Sequence, residues 1–439
     1  MGTPKDILDE VQDYLENEKK LTELRDEEET HVENTEVLGS RQKNLLFQIL
    51  GSLKLGTSMT SILIPVDFLE PRSLTEKLTD FLSHCHLMAR IVEYDSPLKR
   101  MIAITKWYLS AFHVKPPGVK KPYNPVLGEV YRCNYEMPDG SRTTYFAEQV
   151  KHHPPITAVL IENKEKQFEL EGWYYPRTKF LGNSAGSIGD GKMKIKLSKF
   201  NETYEGTWPD MYARGILIGS LVMEICGKPS IKCAETGYSA EIDFKAKPMI
   251  GGDYNVVHVH IKKDKKNILT IYGKWNGQLF IRPHNKKVSG DLLLDTTKEL
   301  IIPKCTIPEK DQLLNSPAKV WSKVTAAILN NDVEAAAREK TAVEENQRNK
   351  VAVREKFNVS YSPSFFTETK DSKGDPFYSF NGRESPEFRS LDSKIGSPDY
   401  LKFTSSIRHV DEFAHIDELQ VHKKVEHHLD MDVSEDDLD

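Results

Sequence analysis

His152 and His153, followed at once by Pro154 and Pro155, are the residues of this 439-residue chain best suited to holding a charged group. Proline lacks an N–H and pushes the residue before it into extended geometry, so His153 and Pro154 are both kept out of the α region. In a regular strand the two imidazoles would point to opposite faces. A bend before the prolines can instead aim both rings near one place. Paired imidazoles at the end of a strand suit a metal, a proton relay or an anion such as phosphate. The plain alternative is a rigid turn whose histidines face water.

Two further groups add charge. In Lys120-Lys121-Pro122-Tyr123-Asn124-Pro125 the prolines hold the chain extended, while Lys121 and Asn124 offer a cation and an amide donor. Later, Lys340, Glu344 and Arg348 recur every fourth residue, and in a helix such steps rotate by only about 40°, giving one stripe. On spacing alone that stripe is equally an i,i+4 ion-pair ladder on a solvated face, about 0.2–0.5 kcal/mol per pair.

Other chemistry falls away. Gly186-Ser187-Ile188-Gly189-Asp190-Gly191-Lys192 nearly matches a phosphate-binding loop, but Met193 stands where Ser or Thr should hold magnesium. The residues after it alternate like a strand, so it reads as a glycine-rich turn. His84-Cys85-His86 and His258-Val259-His260 lack the remaining ligands of a zinc site. No nucleophile motif occurs, so no catalytic residue, metal or cofactor is expected. The aromatic residues sit inside strand patterns rather than among basic ones, which argues against nucleic acid.

The elements that must position these groups follow from the patterning. From about Tyr131 to Ile302, short alternating segments such as Met193-Lys194-Ile195-Lys196-Leu197 recur between Gly, Asn and Asp turns. Many strands without intervening helices predict a large antiparallel sheet or barrel. Helices are predicted before it, with Ser73-Leu74-Thr75-Glu76 as a cap pattern and an apolar stripe through Met101, Ile104 and Leu109. They return after it, at Ser316-Pro317 and after Asp332 through about Lys356. Residues 43–54 read as a short amphipathic helix, with Leu46, Ile49, Leu50 and Leu53 at i, i+3, i+4 and i+7, suited to a lid. Residues 5–30 also read as a helix, apolar through Ile7, Val11, Tyr14 and Leu15, and peripheral because of its acidity.

Composition fits a folded body with polar ends: 38% of residues are hydrophobic and 29% charged. Residues 1–40 carry 13 acids against 4 bases, and residues 426–439 carry 7 acids and no Lys or Arg. A chain of formal charge −6 therefore has a middle of +10, which points to a polyanionic partner such as an anionic membrane surface. No apolar run reaches the roughly 20 residues of a membrane span, and no secretory signal is visible. Five scattered cysteines read as reduced thiols of a cytoplasmic protein.

The run Glu148-Gln149-Val150-Lys151-His152-His153-Pro154-Pro155, with Lys120 to Glu129, resembles the ligand-binding domain of oxysterol-binding-protein-related lipid-transfer proteins. Trp107-Tyr108-Leu109-Ser110, Phe180-Leu181-Gly182-Asn183-Ser184 and Glu344-Glu345-Asn346-Gln347-Arg348 extend the likeness, which covers roughly Leu45 to Tyr378. The resemblance implies a mainly β fold with flanking helices: a nearly closed antiparallel barrel around a lipid tunnel, a lid at 43–55, the barrel at about 120–302 and C-terminal helices at 316–357. The implied domain spans 41–380, after an acidic extension at 1–40 and before a largely disordered tail at 381–439, as in the short, stand-alone members.

By the same resemblance the chain is not an enzyme but a carrier. It would extract phosphatidylinositol 4-phosphate and exchange it for phosphatidylserine or a sterol between membranes, at endoplasmic reticulum contact sites. His152 and His153 would hold the 4-phosphate, with Lys121, Asn124, Lys340, Glu344 and Arg348 completing the polar mouth. Leu46, Ile49, Leu50 and Leu53 would cover the acyl chains, and Thr178 stands near a second-lipid contact. Lys151 replaces a usual serine and adds a cation at the mouth, and Asp67 replaces an apolar residue, which clouds the second lipid; the Phe180–Ser184 run and Thr178 lean toward phosphatidylserine, with sterol close behind. An apolar tunnel does not choose, because burial at about 25 cal/mol per Å² is non-directional and only polar contacts discriminate. Phosphoinositide hydrolysis by the histidine pair, and a membrane adaptor or lipid sensor without net transfer, are the competing readings.

Overall fold

The computed structural model describes residues 4–23, 44, 68–114, 120–216, 218, 219, 221–248, 250–284, 288–385, 388 and 401–403. The expected lid, with Leu46, Ile49, Leu50 and Leu53, lies outside the described residues, as does Asp67.

A 16-stranded antiparallel sheet dominates the chain. After a short strand β1 (Leu69–Ser73), paired in parallel with β2 (Lys121–Tyr123), come β3 (Val130–Glu136), β4 (Arg142–His152), β5 (Pro155–Asn163), β6 (Phe168–Phe180) and β7 (Ser184–Leu197). Then follow β8 (Glu202–Thr207), β9 (Asp210–Arg214), β10 (Val222–Cys226), β11 (Ser230–Cys233), β12 (Tyr238–Phe244), β13 (Val256–Lys263), β14 (Lys266–Lys274), β15 (Gln278–Pro283) and β16 (Asp291–Asp295). Neighbours in sequence are mostly neighbours in the sheet, and β17 (Lys304–Thr306) returns to pair with β3. The strand order among the described residues is an open path, yet residues from β3 round to β16 meet in one apolar core.

A helix fills that concavity. In α2 (Pro97–Ser110), Met101, Ile104 and Leu109 are fully buried, and so are residues on its other faces, as befits a helix surrounded by sheet. Its start is fixed by Pro97 in the first turn and by Ser96, whose hydroxyl accepts from the Leu98 N–H at 3.1 Å. Helix α1 (Pro4–Glu23) is the first correction. It is acidic but not peripheral: Val11, Tyr14 and Leu15 are buried in the main core. Its acidity has a buried use, since Glu18 meets Arg90 at 2.7 Å and is also bonded by Lys106 and Tyr94.

Ser73 does precede a helical turn, yet makes no capping bond; its hydroxyl and that of Thr75 donate instead to the buried Glu129 carboxylate. The glycine run at 186–192 is a second correction, because it lies within β7 rather than at a turn. A Cβ on Gly189 would stand 2.3 Å from the Pro209 carbonyl oxygen, and one on Gly191 2.1 Å from that of Trp173. The glycines let other backbone pass close to the strand.

Past the sheet, α3 (Ser322–Leu329) and α4 (Val333–Lys356) pack on β1 and β2 through Trp321, Val324, Tyr123 and Leu69. Asp332 caps α4, accepting from the Ala335 N–H at 2.9 Å. A hairpin, β18 (Phe366–Lys370) with β19 (Pro376–Phe380), then covers the outer face of β4 and β5. Ordered packing runs past the expected boundary at 380: Phe388 is buried in that outer cluster, and β20 (Leu401–Phe403) pairs with β17.

Candidate functional site

β4 ends at His152, paired with Pro155, so His153 and Pro154 alone make the turn into β5, and the His153–Pro154 peptide is cis. The two imidazoles are brought together, their centroids 4.6 Å apart and their planes at 69°. His153 is exposed, whereas His152 is partly covered and its Nδ1 is buried without a hydrogen-bond partner among the described residues. Burial first, and His153 second, hold the His152 pKa below the usual histidine value, against Glu344 and the nearby Pro125 backbone.

Lys121 arrives on β2, whose register is fixed by pairing with β1. Its pKa is lowered by burial and then by the Lys340 ammonium, with Glu344 opposing. Lys340 bonds Glu344 at 2.6 Å, so the i,i+4 pair exists, but Glu344 also acts on both Lys121 and His152. Two ammonium groups, one carboxylate and the His152 imidazole therefore bear on one another. Asn124 is exposed beside Pro125 at its edge.

Arg348 is exposed, one helical step further round α4 than Glu344. Seven residues on from Lys340 the helix turns back to within about 20° of it, so Gln347 and not Arg348 faces inward. Gln347 is buried, and its Oε1 accepts from the Leu127 N–H at 3.3 Å. Fourteen residues on, within about 40°, comes Arg354, whose charge bears on His152. Counting from Lys340 by the helical repeat would have found both.

Other residues of the same sequence runs hold the frame. Glu129 accepts from Ser73, from Thr75 at 2.6 Å and from the Trp321 indole at 2.7 Å. Glu148 accepts from the Tyr361 hydroxyl at 3.0 Å and from the Ser364 and Phe365 N–H groups at 2.8 and 2.9 Å. Burial pushes both carboxyls up from their ordinary pKa. Thr178 lies on β6 four residues past Tyr174, the last residue paired to β5, and its Oγ1 is buried without a partner among the described residues. His84 and His86 serve elsewhere, His84 Nδ1 meeting the Leu300 carbonyl at 2.7 Å and His86 Nε2 meeting Glu299 at 2.9 Å.

The family model described as oxysterol-binding protein matches residues 48–387. The chain belongs to the oxysterol-binding protein family. It is 38% identical over 345 residues to oxysterol-binding protein 4 of Dictyostelium discoideum, covering 76% of this chain and 74% of that one. Against several mammalian relatives it spans only about two fifths of their length. The Osh1 ORD domain solved with cholesterol shares the fold at a TM-score of 0.68 and 22% identity, covering 84% of this chain and 94% of that one. The Osh3 ORD of Saccharomyces cerevisiae solved with PI(4)P does so at 0.62 and 19%, covering 82% and 95%.

Inside the sheet of this oxysterol-binding family domain, Phe81, Trp107, Tyr108, Tyr145, Met193 and Trp208 line an apolar cavity of about 20 Å³. That is room for about one water, so a lipid filling this part of the interior would have to displace side chains. No helix among the described residues is long and apolar enough to cross a membrane.

Proposed function

We propose that this chain is a lipid-transfer protein that extracts phosphatidylinositol 4-phosphate and exchanges it for a second lipid between membranes. The observation that carries the proposal is the pairing of His152 with His153, centroids 4.6 Å apart, beside the Lys340–Glu344 pair at 2.6 Å, whose carboxylate also acts on Lys121 and His152. Partly buried cations with too few counter-charges gain when a phosphate arrives, because charge-assisted bonds in a dry site are the strong ones. His152 and His153 are the phosphate ligands in this reading, with Lys121, Asn124 and Lys340 beside them and Glu344 orienting the ammonium groups. The polypeptide acts without catalysis, as a carrier.

The second lipid is phosphatidylserine or a sterol, with the buried Thr178 hydroxyl, which has no hydrogen-bond partner among the described residues, as a polar contact. The Osh1 domain of the same fold, solved with cholesterol, supports the sterol reading, and the Osh3 domain solved with PI(4)P supports the first ligand. The protein works peripherally at anionic membranes, including contact sites of the endoplasmic reticulum.

The test is extraction from vesicles containing labelled phosphatidylinositol 4-phosphate. The wild type withdraws the lipid, and His152→Ala/His153→Ala does not; normal extraction by the double variant refutes the assigned site. Vesicle binding by the wild type without extraction would support an adaptor instead.

A further inference from the structure

Antiparallel register sends four connections to one end of the sheet. β4 passes to β5 at His153-Pro154, and β6 to β7 at Leu181-Gly182-Asn183. β9 passes to β10 through residues 215–221, and β12 to β13 through residues 245–255. Thr157 pairs with Tyr174, so β6 runs on to Phe180 well beyond the level at which β5 begins. At about 3.3 Å per residue, its turn stands on the order of 10 Å past the histidine turn. Ser184 pairs with Arg214, the last residue of β9, which carries the 215–221 tip to the same height.

Each of these three outer tips presents one large aliphatic side chain to solvent: Leu181 is 45% exposed, Ile218 80% and Ile250 94%. Phe180, Ile216 and Leu221 beside them are buried, so the loops are packed and the exposure is selective. Turns at the other end of the same strands, Asp139-Gly140, Lys164-Glu165, Glu235-Thr236 and Asp264-Lys265, carry polar residues instead. A solitary exposed aliphatic residue needs no explanation, but three on adjoining tips at one end mark a contact surface.

Hydrogen bonds fasten the tips into one head. The Asn183 side chain donates to the Ile218 carbonyl at 2.9 Å and accepts from the Ile218 N–H at 2.8 Å. Its backbone carbonyl accepts from the Gly215 N–H at 2.9 Å. Arg214 donates to the Lys247 carbonyl at 2.9 Å and pairs at 2.6 Å with Glu224, which accepts from the Lys247 N–H at 2.8 Å. The tips protrude: a Cβ added to Gly219 or Gly251 would meet no described atom within 4 Å. Separate projecting knobs suit a yielding surface rather than a preformed groove. Charge narrows the choice, because residues 178–184, 215–221 and 245–252 contain Lys179, Lys245 and Lys247 and no acidic residue. The Lys247 ammonium lies 4.5 Å from the centre of the exposed Tyr254 ring, a cation and an amphipathic ring suited to a head-group layer.

We propose that this end of the sheet is a membrane-docking head. Leu181, Ile218 and Ile250 enter the acyl boundary of an anionic bilayer, and Lys179, Lys245 and Lys247 meet its head groups. The inference rests on the carrier reading given above and adds an orientation to it, since the histidine turn at the same end then looks toward the leaflet from which a lipid is drawn.

The experiment uses the full-length chain with vesicles of phosphatidylcholine, alone or mixed with phosphatidylglycerol, neither of which is a proposed cargo. Wild type, Ile218→Asp/Ile250→Asp, Lys245→Gln/Lys247→Gln and Val288→Asp are compared by co-sedimentation. Val288 is the control, an exposed aliphatic residue in the β15–β16 connection at the opposite end. The expected result is binding of wild type and Val288→Asp to the anionic vesicles and a loss of about tenfold or more in Ile218→Asp/Ile250→Asp. Lys245→Gln/Lys247→Gln loses about fivefold per lysine on anionic vesicles. In Ile250→Trp, fluorescence taken as the difference from wild type moves to shorter wavelength when anionic vesicles are added. Binding of a short-chain, water-soluble phosphatidylinositol 4-phosphate stays unchanged in every tip variant.

Vesicle binding by Ile218→Asp/Ile250→Asp within about twofold of wild type, or an Ile250→Trp emission that vesicles leave unmoved, overturns the proposal. Failure of the wild type to bind the short-chain lipid, with vesicle binding still lost in Ile218→Asp/Ile250→Asp, overturns the carrier reading and leaves the docking head standing. Self-association of the wild type without lipid, abolished in Ile218→Asp/Ile250→Asp, assigns the tips to a second copy of the chain and overturns the membrane assignment.

Discussion

Removing the Glu18 carboxylate is expected to destabilise the fold by several kcal/mol, although the residue lies in an acidic N-terminal helix. The carboxylate accepts from the Arg90 guanidinium at 2.7 Å, from the Lys106 ammonium and from the Tyr94 hydroxyl. Arg90 has Glu93 at 3.4 Å to fall back on, but Lys106 is 5% exposed and has no other carboxylate among the described residues. Glu18→Gln therefore strands one buried ammonium, a change that costs about 3–5 kcal/mol when one partner of a buried pair is removed. Adding Lys106→Met keeps the methylene packing and removes the stranded charge, so the double variant recovers most of that loss. Although burial pushes it up, Lys106 and Arg90 outweigh that and keep the Glu18 pKa below the ordinary glutamate value. Its stabilisation is thus fully present above that ordinary value and is lost as pH falls through the lowered one. Denaturant titration at neutral and acidic pH measures both effects. A Glu18→Gln protein within about 0.5 kcal/mol of wild type at neutral pH, or a double variant no better than the single one, refutes the reasoning.

Further outcomes are open to measurement. Extraction of phosphatidylinositol 4-phosphate strengthens as pH falls from about 8 to about 6, because an arriving phosphate restores the proton that burial and His153 withhold from His152. The trend disappears in His152→Ala/His153→Ala, and vesicle assays across that range check it. Gly191→Ala, at φ +140° and with its Cβ 2.1 Å from a carbonyl oxygen, destabilises by about 2–4 kcal/mol in chemical denaturation. Phe388→Ala opens the cluster around Phe146 and lowers stability by about 3–5 kcal/mol, read as a fall in denaturation midpoint.

The sequence showed the β-rich body, the two-residue turn that gathers the imidazoles and the Lys340–Glu344 pair, because proline geometry and helical repeat are local rules. What it hid depends on neighbours far along the chain. Periodicity states which residues share a helix face but not which face is turned inward, and a rotation of about 100° per residue separates Arg348 from Gln347. Acidity marked α1 as solvent-facing, yet its partners Arg90 and Lys106 lie about 70 and 90 residues away. The glycines at 186–191 suggested a turn because a strand has little use for them alone; their reason is Trp173, Pro209 and Tyr212 crowding the same strand. Glu129 and Glu148 belong to the family runs that point to the site, and they serve as hubs for buried donors instead.

The cluster on the outer face of the sheet bears on how the chain is made. Phe146 on β4 is covered by Phe365, Phe366, Phe380 and Phe388, the last about 240 residues downstream. At about 5–20 residues per second, the ribosome needs roughly 12–50 s between exposing that side of the first strands and delivering the aromatic residues that close it. Through that interval the nascent sheet presents a greasy exterior to every other polypeptide nearby. A stalled or prematurely terminated translation product ending before Phe365 would keep that surface permanently, and its fate is aggregation or chaperone capture rather than a shorter working carrier.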